Sequence, residues 1–530
     1  MSSTILSRGG LHWLPRRAAL RYYLAIVAII VSATGRLFPL YPGPLALLAL
    51  YTFVILRPDH EYYVEASRRG CAPAPFFPRD VGGVRYLLKT ARELKRNALL
   101  AYRNEQLETF GRTYRHGMFG SLSGSFTTDE PDNVRAILCT RFEDWAIPSV
   151  RIQGFLPVLG HHSIFTTNGP EWQHARAIMR PSFVRDQISD LACVDHHIRK
   201  LVSHIPKDGS PFDLQAMFSM MTTDSISDFM LGHSTDLLGN APEDNYKFGK
   251  YFDTSMQKVA LRTRLGRVSA LWRDPELDEC TSFMKNFISR FVKDARDRLD
   301  GNSDRKDDRT YVFLDQLLKS GEPDDVICDH LLSIFTAGRD TTTSVLTYLF
   351  LELSRRPAVV AAIREEIFSV GDDPSWEDLR NMRYLNWVLK EALRLNPPVA
   401  TNQRQAVRDT VLPKGGGADG MLPVLVKAGA TVQYIPWSMH RRKDVYGEDA
   451  EEFRPERWDK LRVTHEYLPF NAGPRICIGQ QFALTQMALI TFRLLQTFKA
   501  IEWRDSRPPV QKLGVNLSML NGCIISVTPA

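Results

Sequence analysis

The 530-residue sequence is poor in cysteine and has no two cysteines in a C-x-x-C arrangement. Its seven cysteines are scattered along the chain and odd in number, at positions 71, 139, 193, 280, 328, 477 and 523. Disulfide-stapled folds and structural zinc sites need clustered, paired cysteines, so neither explains this chain. The same scarcity favours a reducing, cytosolic compartment.

Long basic runs and internal repeats are also missing. A net charge of +7 over 530 residues is modest, so nucleic-acid binding has no support in the sequence. From about Val84 onward no linker is long enough to separate two domains. Hydrophobic residues make up 44% and charged residues 24%, as in an ordinary globular protein. We therefore expect one large domain over residues 84–530.

No uncharged apolar run reaches the roughly 20 residues that cross a bilayer comfortably. Two shorter runs, at 22–34 and 40–56, follow an arginine-rich start. A cleaved signal peptide is the alternative interpretation, but no A-x-A-like cleavage site stands between the two runs. We expect residues 1–58 to form a membrane anchor of one or two segments, with the rest of the chain in the cytosol. Residues 59–83, which include Cys71-Ala-Pro-Ala-Pro-Phe-Phe-Pro78, are expected to form a proline-rich hinge.

The clearest periodic pattern predicts a long helix over Val326–Arg356, which begins near Asp324 and Asp325 and stops at Pro357. It is apolar on nearly every face, so we expect it to be central and buried. In its middle, the polar cluster Ala337–Thr342 interrupts the apolar pattern. Burying such a cluster is costly unless the buried groups gain partners or perform chemistry.

The C-terminal third predicts one further helix and a small β portion. The helix starts after Pro374 with Ser375 as a cap and ends at Pro397. The segments 406–412 and 424–435 have strand character. The glycine-rich stretch between them satisfies G-x-G-x-x-G, but a strand follows it rather than the helix that a dinucleotide site needs, so we predict a turn.

One cysteine lies just before a predicted helix, in the segment Phe470-Asn-Ala-Gly473-Pro-Arg475-Ile-Cys477-Ile-Gly479. Exposed N–H groups and the positive end of the helix would stabilise a thiolate there. Arg475 is close enough in sequence to contact an anion on the same ligand. A lone cysteine is more often a core residue, but the flanking phenylalanine, glycines and arginine favour a ligand.

This segment matches F-x-x-G-x-R-x-C-x-G, the haem-binding loop of the cytochrome P-450 family, at every defined position. Four further motifs follow the family's order: Trp172-Gln-His-Ala-Arg176, Ala337-Gly-Arg-Asp-Thr-Thr342, Glu391-Ala-Leu-Arg394 and Phe453-Arg-Pro-Glu-Arg457. The chain thus resembles the family from the hinge to the C-terminus. The resemblance implies a mainly α fold with a small β portion, in which the long central helix lies over a haem.

The resemblance also implies roles for individual residues. Cys477 would be the axial ligand of the iron in haem b, and Asp340 with Thr341 would be the catalytic proton relay. The residues implied to bind the cofactor are Trp172, Arg176, Arg404, Phe470, Arg475 and Gly479. Glu391, Arg394 and Arg457 would form a structural charge cluster. The residues alone leave alternatives: core packing for Trp172, a solvated surface pair for Glu391 and Arg394, and hydrogen bonds from Thr341 back to the preceding helical turn.

Electrons are expected from NADPH through a separate flavin-containing NADPH–cytochrome reductase, with cytochrome b5 as a second donor. The positions that could form part of a basic docking face for an acidic flavoprotein are Arg441, Arg442, Lys443, Lys460 and Arg462. A solvated charged turn is the alternative. The resemblance also implies that the protein sits in the endoplasmic reticulum membrane, with its catalytic domain facing the cytosol.

Three segments resemble the fungal branch that hydroxylates n-alkanes and fatty acids. They are Leu412-Pro-Lys-Gly-Gly-Gly417, Met439-His-Arg-Arg-Lys-Asp-Val-Tyr-Gly447 and Phe165-Thr-Thr-Asn-Gly-Pro-Glu-Trp172. By resemblance, Phe335, Val399, Leu517 and residues 155–159 would face a lipophilic substrate. A tailoring hydroxylase of a fungal secondary-metabolite pathway is the alternative enzyme. A haem-binding sensor or carrier is the alternative class, and the Asp340–Thr341 pair argues against it.

Overall fold

The computed structural model describes residues 57–76, 84–116, 124–183, 191–299 and 312–530. The chain divides into two compact units, residues 1–69 and 70–530. The expected anchor at 1–58 therefore lies almost wholly outside the described residues. Within the described ranges, no helix combines the length and the apolar character needed to span a membrane.

The first unit contributes one described helix, α1 (Arg57–Arg68). The expected hinge at 59–83 is therefore helical where it begins, because its first ten residues contain no proline or glycine to oppose a helix. The described part of the proline-rich stretch, 71–76, is irregular and ends in a single β-bridge between Phe76 and Arg115.

The second unit is mostly helical. Its helices are α2 (Val84–Lys95), α3 (Leu99–Phe110), α4 (Pro131–Arg135), α5 (Ser149–Leu159), α6 (Gly169–Met179), α7 (Ala192–His204), α8 (Leu214–Leu231), α9 (Glu243–Leu265), α10 (Pro275–Leu299), α11 (Phe313–Leu318), α12 (Asp324–Leu353), α13 (Pro357–Val370), α14 (Trp376–Asn381), α15 (Arg383–Leu395), α16 (Pro436–Met439), α17 (Lys443–Tyr446) and α18 (Gln480–Thr497).

The strands are short. They are β1 (Thr113–His116), β2 (Ser125–Thr128), β3 (Trp145–Ala146), β4 (Phe212–Asp213), β5 (Asn402–Ala406), β6 (Thr410–Gly416), β7 (Leu422–Val426), β8 (Thr431–Tyr434), β9 (Phe498–Trp503), β10 (Gln511–Leu513), β11 (Leu517–Met519) and β12 (Ile524–Pro529). They form a five-stranded sheet of order β1-β2-β8-β5-β3, a three-stranded sheet β4-β12-β9 and two hairpins. The expectation of a mainly α fold with a small β portion is confirmed.

The predicted central helix is present as α12, and it is shorter than expected by three residues. It ends at Leu353, and Pro357 opens α13. Proline is well placed in the first turn of a helix, whereas the residue before it is forced out of helical geometry. Arg356 accordingly lies outside helical geometry, with φ −135° and ψ 74°.

The prediction of one continuous helix from Ser375 to Pro397 is wrong, because this segment forms two helices. Ser375 does cap α14, with a reciprocal hydrogen bond from its own N–H to Asp378. Met382 then takes an extended conformation, φ −63° and ψ 98°, and separates α14 from α15. Neither proline nor glycine marks this break.

The two predicted strands are each divided. Residues 407–409 separate β5 from β6, and a turn at 427–430 with Gly429 at φ +82° separates β7 from β8. The glycine-rich stretch closes the β6–β7 hairpin, with Gly415, Gly417 and Gly420 all at positive φ. The prediction of a turn there, followed by a strand and not by a helix, is confirmed.

The two largest hydrophobic clusters of the core share α12. The N-terminal half of the helix, including Leu331 and Phe335, packs with α5, α9 and α10. The C-terminal half, including Leu349 and Leu353, packs with α13, α15 and α18. The polar cluster 337–342 lies on the helix between the two, so the helix carries polar side chains into the centre of the domain.

Candidate active site

A tight loop precedes α18 and carries Cys477. The Cys477 N–H donates to the Phe470 carbonyl at 2.9 Å, and the Ile476 N–H donates to the Gly473 carbonyl at 3.0 Å. Gly473 has φ +69°, and a Cβ added there would lie 1.8 Å from the Leu138 carbonyl oxygen. Only glycine fits this position, which explains one of the residues that the sequence pattern requires.

The Cys477 side chain is solvent-accessible although protein surrounds it, so the thiol faces a cavity. Burial raises the pKa of the thiol, while a hydrogen bond from the Gly479 N–H and the charge of Arg176 lower it by less. The Gly479 N–H thus stabilises the thiolate in the expected direction, but burial outweighs it. A metal ion bound to the sulfur would deprotonate it outright.

Four arginines from four separate segments converge near this cavity. Arg151 comes from α5, Arg176 from α6, Arg404 from β5 and Arg475 from the cysteine loop. The Trp172 ring packs between two of them, with its centroid 4.2 Å from the Arg475 guanidinium and 5.9 Å from that of Arg176.

The four positive charges of this arginine cluster repel one another. Burial, together with the charges of Arg404, Arg151 and Arg176, lowers the pKa of Arg475 to about 9. Burial and Arg404 lower the pKa of Arg151 to about 10. Arg475 donates to the Thr167 carbonyl at 2.9 Å and the Asn168 side-chain oxygen at 3.0 Å, both neutral. Over the described ranges, none of the four forms an ion pair with a carboxylate, so the cluster suits an anionic ligand.

Arg151 was not predicted from the sequence. It donates to the Asn402 side-chain oxygen at 2.7 Å, and Arg404 contacts the same oxygen at 3.2 Å. The signal available was weak: a single charge in the otherwise uncharged helix SVRIQGFLPVL. Its contact with β5 depends on folding and is not visible in any local pattern.

The central helix is least buried at its polar cluster. Of the described residues from Val326 to Leu351, all are buried except Ala337, Gly338, Asp340 and Thr341. These four fall on one side of one and a half helical turns. The predicted acid and alcohol are therefore both accessible in the interior of the domain.

Thr341 and Asp340 have different partners. The Thr341 hydroxyl donates to the Ala337 carbonyl at 2.7 Å, the back-bond that the sequence left as an alternative. A hydroxyl that donates in this way still has lone pairs that accept a hydrogen bond. Asp340 accepts from Arg339 at 3.0 Å, and burial raises the pKa of its carboxyl.

The predicted charge cluster is assembled in the interior. Both oxygens of Glu391 accept from Arg394, at 2.9 and 2.8 Å, and Arg457 Nε donates to Oε1 at 2.7 Å. The Trp458 indole N–H and the Arg454 backbone N–H complete the set. The Glu391 and Arg394 side chains are fully buried, so the alternative of a solvated surface pair is wrong.

The expected basic face is partly wrong. The Arg441 and Arg442 side chains are 6% and 10% exposed and pair with carboxylates, including Glu451 and Asp444. The positive charges of Arg441 and Arg442 are therefore paired within the protein and do not form an exposed basic face. Lys443 is exposed but pairs with Glu448, and Lys460 and Arg462 are exposed.

The residues placed near a substrate by resemblance separate into two groups. Phe335 is fully buried between the Phe248 and Phe252 rings of α9, at 5.0 and 4.8 Å between centroids, in the same cluster as Phe155. Leu517 is buried and donates its N–H to the Pro398 carbonyl at 2.9 Å, which brings it next to Val399.

Residues 97–521 match the family described as Cytochrome P-450. The chain is 39% identical to the cytochrome P-450 monooxygenase himC of Aspergillus japonicus, over 86% of this chain and 83% of the relative. It is 38% identical to the cytochrome P-450 monooxygenase FPY7 of Fusarium mangiferae, over 91% of this chain and 95% of that relative. It is 36% identical to cytochrome P-450 52A3-B of Candida maltosa, over 90% and 95%.

Proposed function

Since the chain belongs to the cytochrome P-450 family of haem-thiolate monooxygenases, we propose that it hydroxylates a lipophilic substrate, a fatty acid or n-alkane, at or near the chain end. One oxygen atom of O2 would enter a C–H bond. The Cys477 thiol with the arginine cluster beside it carries the reaction type, and the partly accessible acid–alcohol pair of α12 supports it. The resemblance of three segments to the fungal alkane and fatty-acid branch supports the substrate class.

The cofactor we propose is haem b, which fits the residues present. Cys477 would be its axial ligand, and the four arginines that lack carboxylate partners in the described chain would hold its two propionates, with Trp172 packed between two of them. Phe470 and Gly479 would fix the loop that carries the sulfur. When bound, the haem supplies the activation of dioxygen and the oxidation of the substrate, and thiolate ligation favours O–O cleavage.

The protein's own contribution is the control of protons and position. Asp340 would carry a proton, because burial raises the pKa of its carboxyl. Thr341 would accept a hydrogen bond at its hydroxyl oxygen while the hydroxyl continues to donate to the Ala337 carbonyl. The Glu391–Arg394–Arg457 cluster would act structurally, since it joins α15 to the segment after α17 and is closed to solvent.

We further propose that residues 1–58 anchor the chain in the endoplasmic reticulum membrane with the catalytic domain in the cytosol. Electrons would come from NADPH through a separate reductase, with cytochrome b5 as a second donor. Lys460 and Arg462 are exposed cations of the proposed docking face.

The experiment is a carbon monoxide difference spectrum followed by product analysis with a reductase, NADPH and either dodecanoic acid or dodecane. We expect the thiolate band and a terminal or near-terminal alcohol. Loss of the band would refute the haem-thiolate assignment. A normal band without product from either substrate would favour a tailoring hydroxylase, a candidate supported by the 39% and 38% identity to monooxygenases of Aspergillus japonicus and Fusarium mangiferae.

A further inference from the structure

Arg339 lies in the polar cluster of α12, next to the proposed proton carrier, and the proposed function gives it no role. Its side chain is 5% exposed. A buried guanidinium needs several partners to offset the loss of hydration. The partners of the Arg339 guanidinium therefore indicate the role of this residue.

The Arg339 guanidinium joins three helices. On α8, Thr223 accepts from Nε at 2.8 Å and Ser219 accepts from Nη2 at 2.9 Å. On α9, the Phe252 ring centroid lies 5.1 Å from the guanidinium carbon. The two hydroxyls fix the plane of the group, so the direction of its remaining nitrogen, Nη1, is fixed as well.

Nη1 is shared between two carboxylates. It donates to Asp340 Oδ1 at 3.0 Å and also to Asp253 Oδ1 on α9. The Asp340 side chain is 26% exposed and belongs to the polar cluster of α12, whereas that of Asp253 is 53% exposed on α9. One guanidinium nitrogen therefore connects an exposed carboxylate on α9 to the carboxylate of the proposed proton carrier.

We propose that Arg339 is a positioning residue that holds the Asp340 carboxyl beside Thr341, and that Asp253 sets the strength of this hold. The inference rests on the proposed function, because it concerns the proton that Asp340 delivers there. Asp253 competes for Nη1, so its charge weakens the hydrogen bond that favours ionised Asp340.

The charges around Asp340 act in the matching directions. Burial raises the pKa of Asp340, Arg339 lowers it and Asp253 raises it. Asp253 thus helps Asp340 to keep a proton. Asp253 is on α9, which packs on α12 through Phe248, Phe252 and Phe335. The protonation of Asp340 therefore depends on the position of α9 relative to α12.

The test compares Asp253→Asn with Asp244→Asn in the full chain loaded with haem. Asp244 is a matched control because it lies on the same helix, is 52% exposed and pairs with Arg290 on α10. The infrared C=O band of protonated Asp340, assigned by its loss in Asp340→Asn, is titrated in both variants. The pH profile of product formed per NADPH oxidised, with dodecanoic acid, is the second readout.

Asparagine at 253 keeps an acceptor for Nη1 but removes the charge that raises the pKa of Asp340. We expect both midpoints to move to lower pH by about one unit in Asp253→Asn, with no shift in Asp244→Asn. Equal midpoints in the two variants would overturn the proposal. The infrared titration needs no substrate, so it tests this inference even if the proposed substrate class is wrong.

Arg339→Lys supplies the test of positioning. Lysine keeps the charge but cannot contact Ser219, Thr223 and both carboxylates in one plane. We expect product per NADPH to fall about tenfold, while product formed with iodosylbenzene, an oxygen-atom donor that needs no proton delivery, stays within about twofold. Equal losses with both oxidants would show that Arg339 is only a structural tie and would refute its positioning role.

Discussion

Thr341 and Thr347 make the same local contact in different surroundings. Each hydroxyl donates to the carbonyl four residues earlier at 2.7 Å, but Thr341 is partly accessible in the polar cluster of α12 and Thr347 is fully buried. The back-bond therefore does not distinguish them, and their exposure does.

We expect Thr341→Ala to leave the carbon monoxide spectrum unchanged and to lower product per NADPH about tenfold or more, because a group that helps to deliver the proton is removed. Peroxide release should rise accordingly. Thr347→Ala loses the same back-bond and should keep wild-type coupling. Equal uncoupling in both variants would assign the effect to helix geometry.

Glu391 accepts five hydrogen bonds, three of them from the two buried guanidiniums of Arg394 and Arg457. We expect Glu391→Gln to lower the free energy of unfolding by about 3–5 kcal/mol, because it leaves buried positive charge without compensation. Urea denaturation measures the change. Lys443→Gln removes half of an exposed pair with Glu448 and should cost less than about 1 kcal/mol; a comparable loss would contradict the argument.

Asp129 is fully buried beside Arg112, and burial raises its pKa to about 6. A carboxyl with a raised pKa in the folded state stabilises the protein below its unfolded value of 3.8, and this contribution is lost as the pH rises through about 6. Between pH 4 and pH 7, wild type should lose about 2 kcal/mol relative to Asp129→Asn. Urea unfolding at several pH values tests this, with the half-exposed Asp132→Asn as the control that should track wild type.

The sequence predicted which residues form the site better than it predicted which partners those residues contact. Cys477, Glu391 and Asp340 stand in spaced motifs, so the sequence could locate them. Arg151 and the pairing of Arg339 with Asp253 depend on contacts between helices far apart in the chain, and no local pattern contains them.

At the scale of elements, the predicted long helix was confirmed because its apolar pattern is continuous, while the break at Met382 and the division of the strands at 407–409 were missed. These changes arise from packing and turn geometry rather than from proline or glycine. The cysteine loop is the opposite case, since its conformation is fixed by a glycine that the motif already contains.

Gly473→Ala should prevent the loop from forming, because a Cβ there would overlap the Leu138 carbonyl. We expect loss of haem binding, measured as haem per chain after purification. Gly70→Ala is the matched control: its φ is +68° against +69°, and its Cβ would meet nothing within 4 Å. It carries the same backbone strain without the contact and should retain haem. Haem loss in both variants would mean that strain alone disrupts the protein.

At the scale of the whole molecule, the mainly α class and the order of the motifs were predictable from the sequence, whereas the placement of the two largest core clusters on either side of the polar cluster was not. That placement requires knowing which helices pack on each half of α12. The fold leaves the substrate open in the same way, because Phe335 and Leu517 are both buried among apolar residues and such residues fit many lipophilic molecules.

Removal of residues 1–56 should move the protein from the microsomal to the soluble fraction and leave the carbon monoxide spectrum intact, because the proposed anchor and the catalytic domain occupy separate parts of the chain. Fractionation after high-salt washing measures this. A truncated protein that stays with the membrane would show that another surface binds lipid.

The arginine cluster also bears on biosynthesis. Four like charges from α5, α6, β5 and the cysteine loop repel one another as these segments come together, so we expect the packing of this region to be unfavourable until a dianion binds. Insertion of haem and closure of this half of the domain would then be a single event. The yield of folded protein in a host cell would follow its supply of haem, and newly made chains that wait for it would be the ones that chaperones retain and proteases remove.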